Sequence, residues 1–295
     1  MRVAVTAPTG NIGRPLVARL LEAGAGPDLV LLARHPEKLA HAAARGAAVR
    51  AGSLRDAAFV AEATRGADVL FWLTPPNYAA PDLRAWYGAL GRHAAAAIEA
   101  NRIPRVVHLS SIGAQLERGT GPIVGLHDVE RMLDAVCPNV THLRPAAFFQ
   151  NFLWQVPSIK GMGAIFMPVA GSARSAMVDT RDVAAVAAER LLDAGWTGRS
   201  TWGLHGPADV SYDEAAATFS AATGRRIAHV QITPEQAREA LLGMGMSPDA
   251  ADAMLDLYRA VGDGTLVSEE PRSLETTTPT TLADFARDIL VAALG

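Results

Sequence analysis

A single cysteine, Cys137, stands in the whole 295-residue chain. No intramolecular disulfide can form, and no cysteine cluster offers a metal site. Cys137 falls late in a predicted helix, just before Pro138, and reads as a small buried hydrophobe. Charge of one sign is equally scarce. Twenty-seven Lys and Arg face 30 Asp and Glu, for a formal net charge of -3, and the basic residues are scattered. Without a basic stripe, nucleic acid is not an expected partner. No apolar run approaches the roughly 20 residues of a membrane span, so no membrane partner is expected. No leader-like segment precedes the first predicted strand, which makes the cytoplasm the expected location. Internal repeats and low-complexity linkers are absent too.

What is present is an alternation. Short apolar runs at Val3–Thr6, Leu29–Ala33, Val69–Leu73 and Val106–Leu109, with a weaker one near Ala47–Ala51, are separated by helical patterns. Most runs are continuously apolar, as expected for parallel strands covered by helices on both faces. The clearest helix puts Leu83, Tyr87, Leu90, Ala94, Ala97 and Ile98 on one face, with Pro81 suited to its first turn. A sixth strand is predicted at Val140–Leu143. The fold class that follows is α/β, a Rossmann-type doubly wound parallel sheet. Beyond Arg144-Pro145 the pattern changes. Aromatic residues crowd together, a glycine-rich stretch runs from Gly161 to Gly171, and most of the remainder is helical. The predicted division is a core of residues 1–150 plus about 176–205, and a smaller, mostly helical lobe of about 151–175 and 206–295. About half the residues are apolar, enough to fill one large core with an attached lobe.

The strongest chemical signal is Val3-Ala-Val-Thr6-Ala-Pro-Thr9-Gly10-Asn11-Ile12-Gly13. A buried strand leads through a turn into a helix expected to begin near Asn11. Unpaired N–H groups and the helix dipole favour an anion at such a point. Gly10 lets the backbone approach a pyrophosphate, and Gly13 lets the helix pack closely on the strand. Ala7 occupies the place of the usual first glycine. At the end of the second strand comes Arg34, with Lys38 one turn on, where an NAD-selective site commonly carries Asp or Glu. A guanidinium there can stack on adenine and pair with a 2′-phosphate, so the expected cofactor is NADP(H). Ser53 and Leu54 are placed to flank adenine. Thr74 and Pro75 are placed near the nicotinamide ribose, and Ser110 and Ser111 at the redox end.

With these residues in view, the chain resembles the NmrA-like family of atypical short-chain dehydrogenases/reductases. The pieces that carry the resemblance include Thr6-Ala-Pro-Thr-Gly-Asn-Ile-Gly13, Arg34-His-Pro-Glu-Lys38, Leu73-Thr-Pro-Pro76 and His108-Leu-Ser-Ser-Ile-Gly113. His127-Asp-Val-Glu130, Leu143-Arg-Pro-Ala-Ala-Phe-Phe-Gln-Asn151, Asp182-Val-Ala184 and Gly206-Pro207 follow in order, so that the likeness spans nearly the whole chain. It implies an NADP(H) site and a C-terminal lobe that closes a substrate cleft. It also implies activities of the quinone, azo-compound or isoflavone reductase kind, or a regulator that binds the dinucleotide without turnover.

Another absence bears on the chemistry. Classical short-chain dehydrogenases use a Tyr with a Lys four residues later, and none of Tyr78, Tyr87, Tyr212 and Tyr258 has that partner. Three candidates remain for the reacting end. His127 can protonate a reduced oxygen or nitrogen, or else bonds within a helix–loop junction. Ser111 can orient a carbonyl, and Tyr78 can donate from the opposite wall. Phe148, Phe149, Trp154 and Phe166, with Phe152, suggest a partly aromatic cleft, although some of these must be core. Asn151 is placed either to orient a substrate oxygen or to cap a turn. The expectation is an NADPH-dependent reductase of a flat aromatic or conjugated carbonyl substrate, as a monomer or homodimer. A dinucleotide sensor acting through a protein partner and a tailoring enzyme for aromatic natural products are the alternatives.

Overall fold

In the computed structural model, which describes residues 1–295, the first half of the chain folds as strand–helix repeats. The strands are β1 (Val3–Thr6), β2 (Leu29–Ala33), β3 (Ala48–Ala51), β4 (Val69–Leu73), β5 (Val106–Leu109) and β6 (Val140–Pro145). The helices between them are α1 (Gly13–Glu22), α2 (Ala40–Ala44), α3 (Ala57–Ala63), α4 (Leu83–Asn101) and α5 (Ile123–Val136). A short β7 (Ala147–Phe148), α6 (Val156–Met162), β8 (Ala164–Met167) and β9 (Arg174–Val178) come next. The chain then re-enters the core through α7 (Thr180–Leu192) and β10 (Ser200–Leu204). The tail holds β11 (Asp209–Ser211), α8 (Tyr212–Thr223), β12 (Ala228–Gln231), α9 (Pro234–Gly243) and α10 (Pro248–Gly262). It ends with α11 (Leu282–Phe285) and α12 (Val291–Leu294), joined by a π turn.

The main sheet has the order β3-β2-β1-β4-β5-β6-β10, and every pairing in it is parallel. Strand order reverses between β1 and β4, which opens a crevice at their C-terminal ends. The unbroken apolar runs have a direct cause in the two-sided cover. Val3 and Val5 of β1 pack with Leu16 and Leu20 of α1 and Val183 of α7, whereas Ala4 faces Leu90 and Ala94 of α4 on the other side. No helix is long and apolar enough to cross a membrane.

The lobe is mostly helical, as expected, and also carries two small sheets. One has the order β11-β9-β7, and the other pairs β8 with β12. The glycine-rich stretch thus contains a strand, Ala164–Met167, whose register partner Ala228–Gln231 lies far away in sequence. Phe149, Phe152, Phe219 and Phe285 fill the lobe's own core.

Candidate active site

The site begins at the turn after β1. Thr6 is buried, and its Oγ accepts from the Leu73 N–H at 2.8 Å and donates to the Phe71 carbonyl at 3.1 Å. That hydroxyl therefore stitches β1 to β4 across the strand-order reversal. The next residue, Ala7, adopts a left-handed conformation with φ +48°, the geometry for which glycine is usual at this place. The turn then folds so tightly that a Cβ on Gly13 would stand 2.1 Å from the Ala7 carbonyl oxygen. Gly10 differs, because a Cβ there would meet nothing closer than that oxygen at 3.5 Å. Packing within the protein does not require glycine at position 10, where the bare backbone is exposed. Helix α1 begins at Gly13 rather than near Asn11. It has no side-chain cap and no acidic residue in its first turn. The N–H groups of Asn11, Ile12 and Gly13 find no acceptor in the protein. Open donors, a positive helix end and a bare approach form a cradle for a pyrophosphate.

At the end of β2, Arg34 and Lys38 are exposed. Neither belongs to any of the ion pairs, whereas neighbouring His35 lies 3.3 Å from Glu37. Two free cations on one side of the cradle suit a phosphate monoester at the adenosine end. Ser53 Oγ accepts from the Arg55 N–H at 3.2 Å, and the Leu54 carbonyl meets His93 Nδ1 at 2.9 Å, which fixes the loop after β3. The loop after β4 is held by two indoles. Trp72 Nε1 donates to Thr74 Oγ and Trp86 Nε1 to the Pro75 carbonyl, each at 2.9 Å.

At the opposite end of the crevice, Ser110 is buried, while Ser111 is half-buried. His127 Nδ1 lies 2.8 Å from the Ala114 carbonyl, so this nitrogen carries the proton and Nε2 stays free. The bond anchors the loop after β5 to α5. Tyr78 meets Trp154 edge to face, with centroids 5.7 Å apart, although the two residues come from the core and the lobe. The Tyr78 carbonyl accepts from the Ser247 N–H at the start of α10, and burial raises the Tyr78 pKa. Trp154 remains 42% exposed, Asn151 is exposed, and Phe148 and Phe166 are half-buried. Phe149 is not a cleft wall: it is 1% exposed and packed on Phe285.

Sequence reasoning missed a buried polar cluster beneath this end of the sheet. His108 and His142 sit opposite each other on β5 and β6, with their Nδ1 atoms 3.0 Å apart. Beside them the Arg144 guanidinium binds both oxygens of Glu130, at 2.9 and 2.6 Å, and reaches Glu269 at 2.6 Å. Ligand atoms of His108, Glu130 and His142 lie within 4.8 Å of one another. The guanidinium across the carboxylate makes this an ion pair flanked by histidines rather than a cation site. Burial raises the Glu130 pKa, but Arg144 and nearby His142 more than offset that and hold the carboxyl below its usual range. Burial, with His142 and Arg144 adding, drives the His108 pKa well below the ordinary histidine value.

This last shift predicts a pH dependence. Below the unfolded pKa of about 6.5 the unfolded chain takes up a proton that folded His108 refuses, so stability falls with acidification. Between pH 7.5 and 5.5 the melting temperature is expected to drop, and His108→Gln should flatten that slope. An unchanged slope in the variant would disprove the assignment.

The fold and the cradle define a dinucleotide-binding protein of the doubly wound class. The chain belongs to the NmrA-like family, whose model matches residues 1–286. It is 33% identical to an NAD(P)H azoreductase of Xenophilus azovorans, over 87% of this chain and 86% of the relative. Its fold is similar to that of Citrobacter sp. triphenylmethane reductase (TM-score 0.82, 21% identity, covering 100% of this chain and 99% of the other). It is also similar to the NADPH complex of Escherichia coli quinone oxidoreductase (TM-score 0.83, 22% identity, covering 98% and 99%).

Proposed function

We propose that this protein is an NADPH-dependent reductase of flat aromatic or conjugated substrates of the quinone type. The observation that carries the reading is the cradle, with its three unclaimed N–H groups and the unpaired Arg34 and Lys38 beside it. The azoreductase at 33% identity, named for NAD(P)H, supports both the cofactor and an aromatic substrate. When bound, the dinucleotide supplies a hydride.

The chain's own residues do the rest. The N–H groups of Asn11, Ile12 and Gly13 receive the pyrophosphate. Arg34 pairs with the 2′-phosphate, with Lys38 adding charge. The loops at Ser53-Leu54 and Thr74-Pro75 hold the adenosine and the second ribose. Ser110, Ser111 and Ile112 floor the redox end, and Tyr78, Trp154, Phe148 and Phe166 bound the substrate space. His127, with Nδ1 committed to the Ala114 carbonyl and Nε2 without a protein partner, is the side chain to which this reading gives the passing of a proton. A quinone needs little more than orientation, because its reduced oxygen is delocalised and water can protonate it.

The test is anaerobic loss of NADPH absorbance on mixing the pure protein with quinones, azo dyes and conjugated enones. Turnover above a no-enzyme blank is expected. Absence of turnover alongside demonstrable NADPH binding would favour the sensor reading. Arg34→Ala is expected to weaken NADPH binding about 10- to 100-fold, the range of a lost charge-assisted contact, and NADH binding by less than about twofold. Equal losses for the two dinucleotides would refute the role given to Arg34.

A further inference from the structure

Trp86 and His93 stand two helical turns apart on α4 and so share a face. That face flanks the buried stripe of Leu83, Tyr87, Leu90 and Ala94, which packs α4 firmly on the sheet. His93 Nδ1 lies 2.9 Å from the Leu54 carbonyl in the loop after β3. A carbonyl only accepts, so this nitrogen donates. The Trp86 indole touches two loops at once. Its Nε1 donates to the Pro75 carbonyl after β4 at 2.9 Å. The Arg55 guanidinium, after β3, lies over its ring, 5.6 Å from the centroid.

Each loop is also held within itself. The Arg55 N–H bonds Ser53 Oγ at 3.2 Å, and a Cβ on Gly52 would stand 2.4 Å from the Phe59 ring. Thr74 is tied to Trp72 at 2.9 Å. No backbone hydrogen bond runs from one loop to the other. The connection between them passes through α4, and Trp86 is the side chain that holds both.

We propose that Trp86 is a positioning residue that couples the two halves of the dinucleotide site, with His93 fixing the adenosine side of the link. The inference rests on the dinucleotide part of the proposed function, in which the loop after β3 serves the adenosine and the loop after β4 the second ribose. It adds an internal regulation to that site. Filling the adenosine end steadies the loop that carries Arg55, Arg55 steadies the indole, and the indole holds the Pro75 carbonyl. The second loop is then ordered at lower cost than it would be alone. Trp86 acts through the loops and not on the dinucleotide itself.

Two substitutions separate the link from packing. Trp86→Phe keeps a ring for Arg55 and loses only the indole N–H, whereas Trp86→Leu loses both contacts. Because 2′,5′-ADP fills the adenosine end alone, calorimetric titration with it and with NADPH reads each half. In Trp86→Phe, NADPH affinity is expected to fall about three- to tenfold, the worth of one neutral hydrogen bond, with 2′,5′-ADP within about twofold of wild type. In Trp86→Leu both ligands should weaken, 2′,5′-ADP by about threefold or more. His93→Leu should weaken 2′,5′-ADP by a similar factor, and His93→Asn, which keeps a donor, should restore it. Trp86→Phe and the His93 pair suffice where Trp86→Leu is too unstable to purify. A general packing defect would lower both affinities together in Trp86→Phe; that result, or no change in either, overturns the coupling and leaves the dinucleotide reading intact. If the wild-type protein binds neither ligand, that reading fails, and the link is decided by amide hydrogen exchange in the free protein. Trp86→Leu should then speed exchange in both loops, and faster exchange in one loop only, or in neither, overturns it.

Discussion

Placing alanine at Gly13 is expected to destabilise the protein by roughly 3–5 kcal/mol, the range of severe packing errors, and to eliminate NADPH binding. The added Cβ would lie 2.1 Å from the Ala7 carbonyl oxygen, 2.8 Å from Pro8 Cα and 2.9 Å from the Ala7 carbonyl carbon. All three are backbone atoms, so no side-chain rotation relieves the clash. The turn cannot retreat easily, because Ala7 is already held at φ +48° and Thr6 is fixed by its bonds to β4. Helix α1 cannot retreat either, since Leu16, Leu20 and Leu21 are fully buried against the sheet. For a chain of this size the melting temperature should drop by about 10 °C. Gly10→Ala is the matching control. Its Cβ makes only an ordinary 3.5 Å contact, so stability should stay within about 0.5 kcal/mol of wild type. NADPH affinity should nevertheless fall, because the methyl group stands in the pyrophosphate's approach. Thermal melts and NADPH titrations of the two variants check both halves. A Gly13→Ala protein that melts within 2 °C of wild type would contradict the tight-turn account, and unchanged affinity in Gly10→Ala would contradict the cradle.

The contrast between these glycines shows how much of the site was legible in the sequence. The strand–turn–helix motif announced itself because β1 is buried on both faces and its four residues read as one apolar run. The same physics made β2, β4 and β5 legible, and Arg34 could be placed because it directly follows β2. What the motif did not reveal was the division of labour within it. Thr6 turned out to be a stitch between strands, and the first glycine's work falls to a strained alanine. The lobe's small sheets were hidden for a different reason: β7 has two residues, and β8 pairs with a strand some sixty residues away. Periodicity over such lengths carries no signal. The aromatic crowd after Pro145 was visible as composition, but which rings face the cleft depends on the lobe's packing. Phe149 and Phe152 go inward to meet Phe219 and Phe285, whereas Trp154 turns out toward Tyr78. His108 and His142 left a faint trace, each being a polar residue inside a buried strand. Their pairing becomes visible only once the β5–β6 register is known.

The second large effect concerns the ion pair under that register. Glu130→Ala is expected to cost about 3–5 kcal/mol at neutral pH, the usual penalty for stranding a buried charge. Arg144 is 12% exposed and Glu130 is 7% exposed at the side chain, so solvent cannot replace the lost carboxylate. The remaining partner of Arg144, Glu269, is 59% exposed and reaches a single guanidinium nitrogen, which places the loss toward the lower end of that range. Glu130→Gln should fall between, since the amide keeps the shape and one acceptor. Replacing both partners, as in Glu130→Met with Arg144→Met, should recover much of the deficit, because the cost lies in the stranded charge rather than in the loss of attraction. Urea unfolding of the single and double variants separates these terms. A single-variant loss below 1 kcal/mol, or a double variant worse than Glu130→Ala, would show that the pair is not the buried unit described. The pH dependence adds an independent sign. The folded carboxyl titrates below its usual range, so its contribution is fully present above the unfolded value of about 4.3 and is lost as pH falls through the folded one. The gap between wild type and Glu130→Ala should therefore stay constant from pH 8 to about 5 and narrow only below that. The loss assigned to His108 begins near pH 6.5, which keeps the two contributions apart.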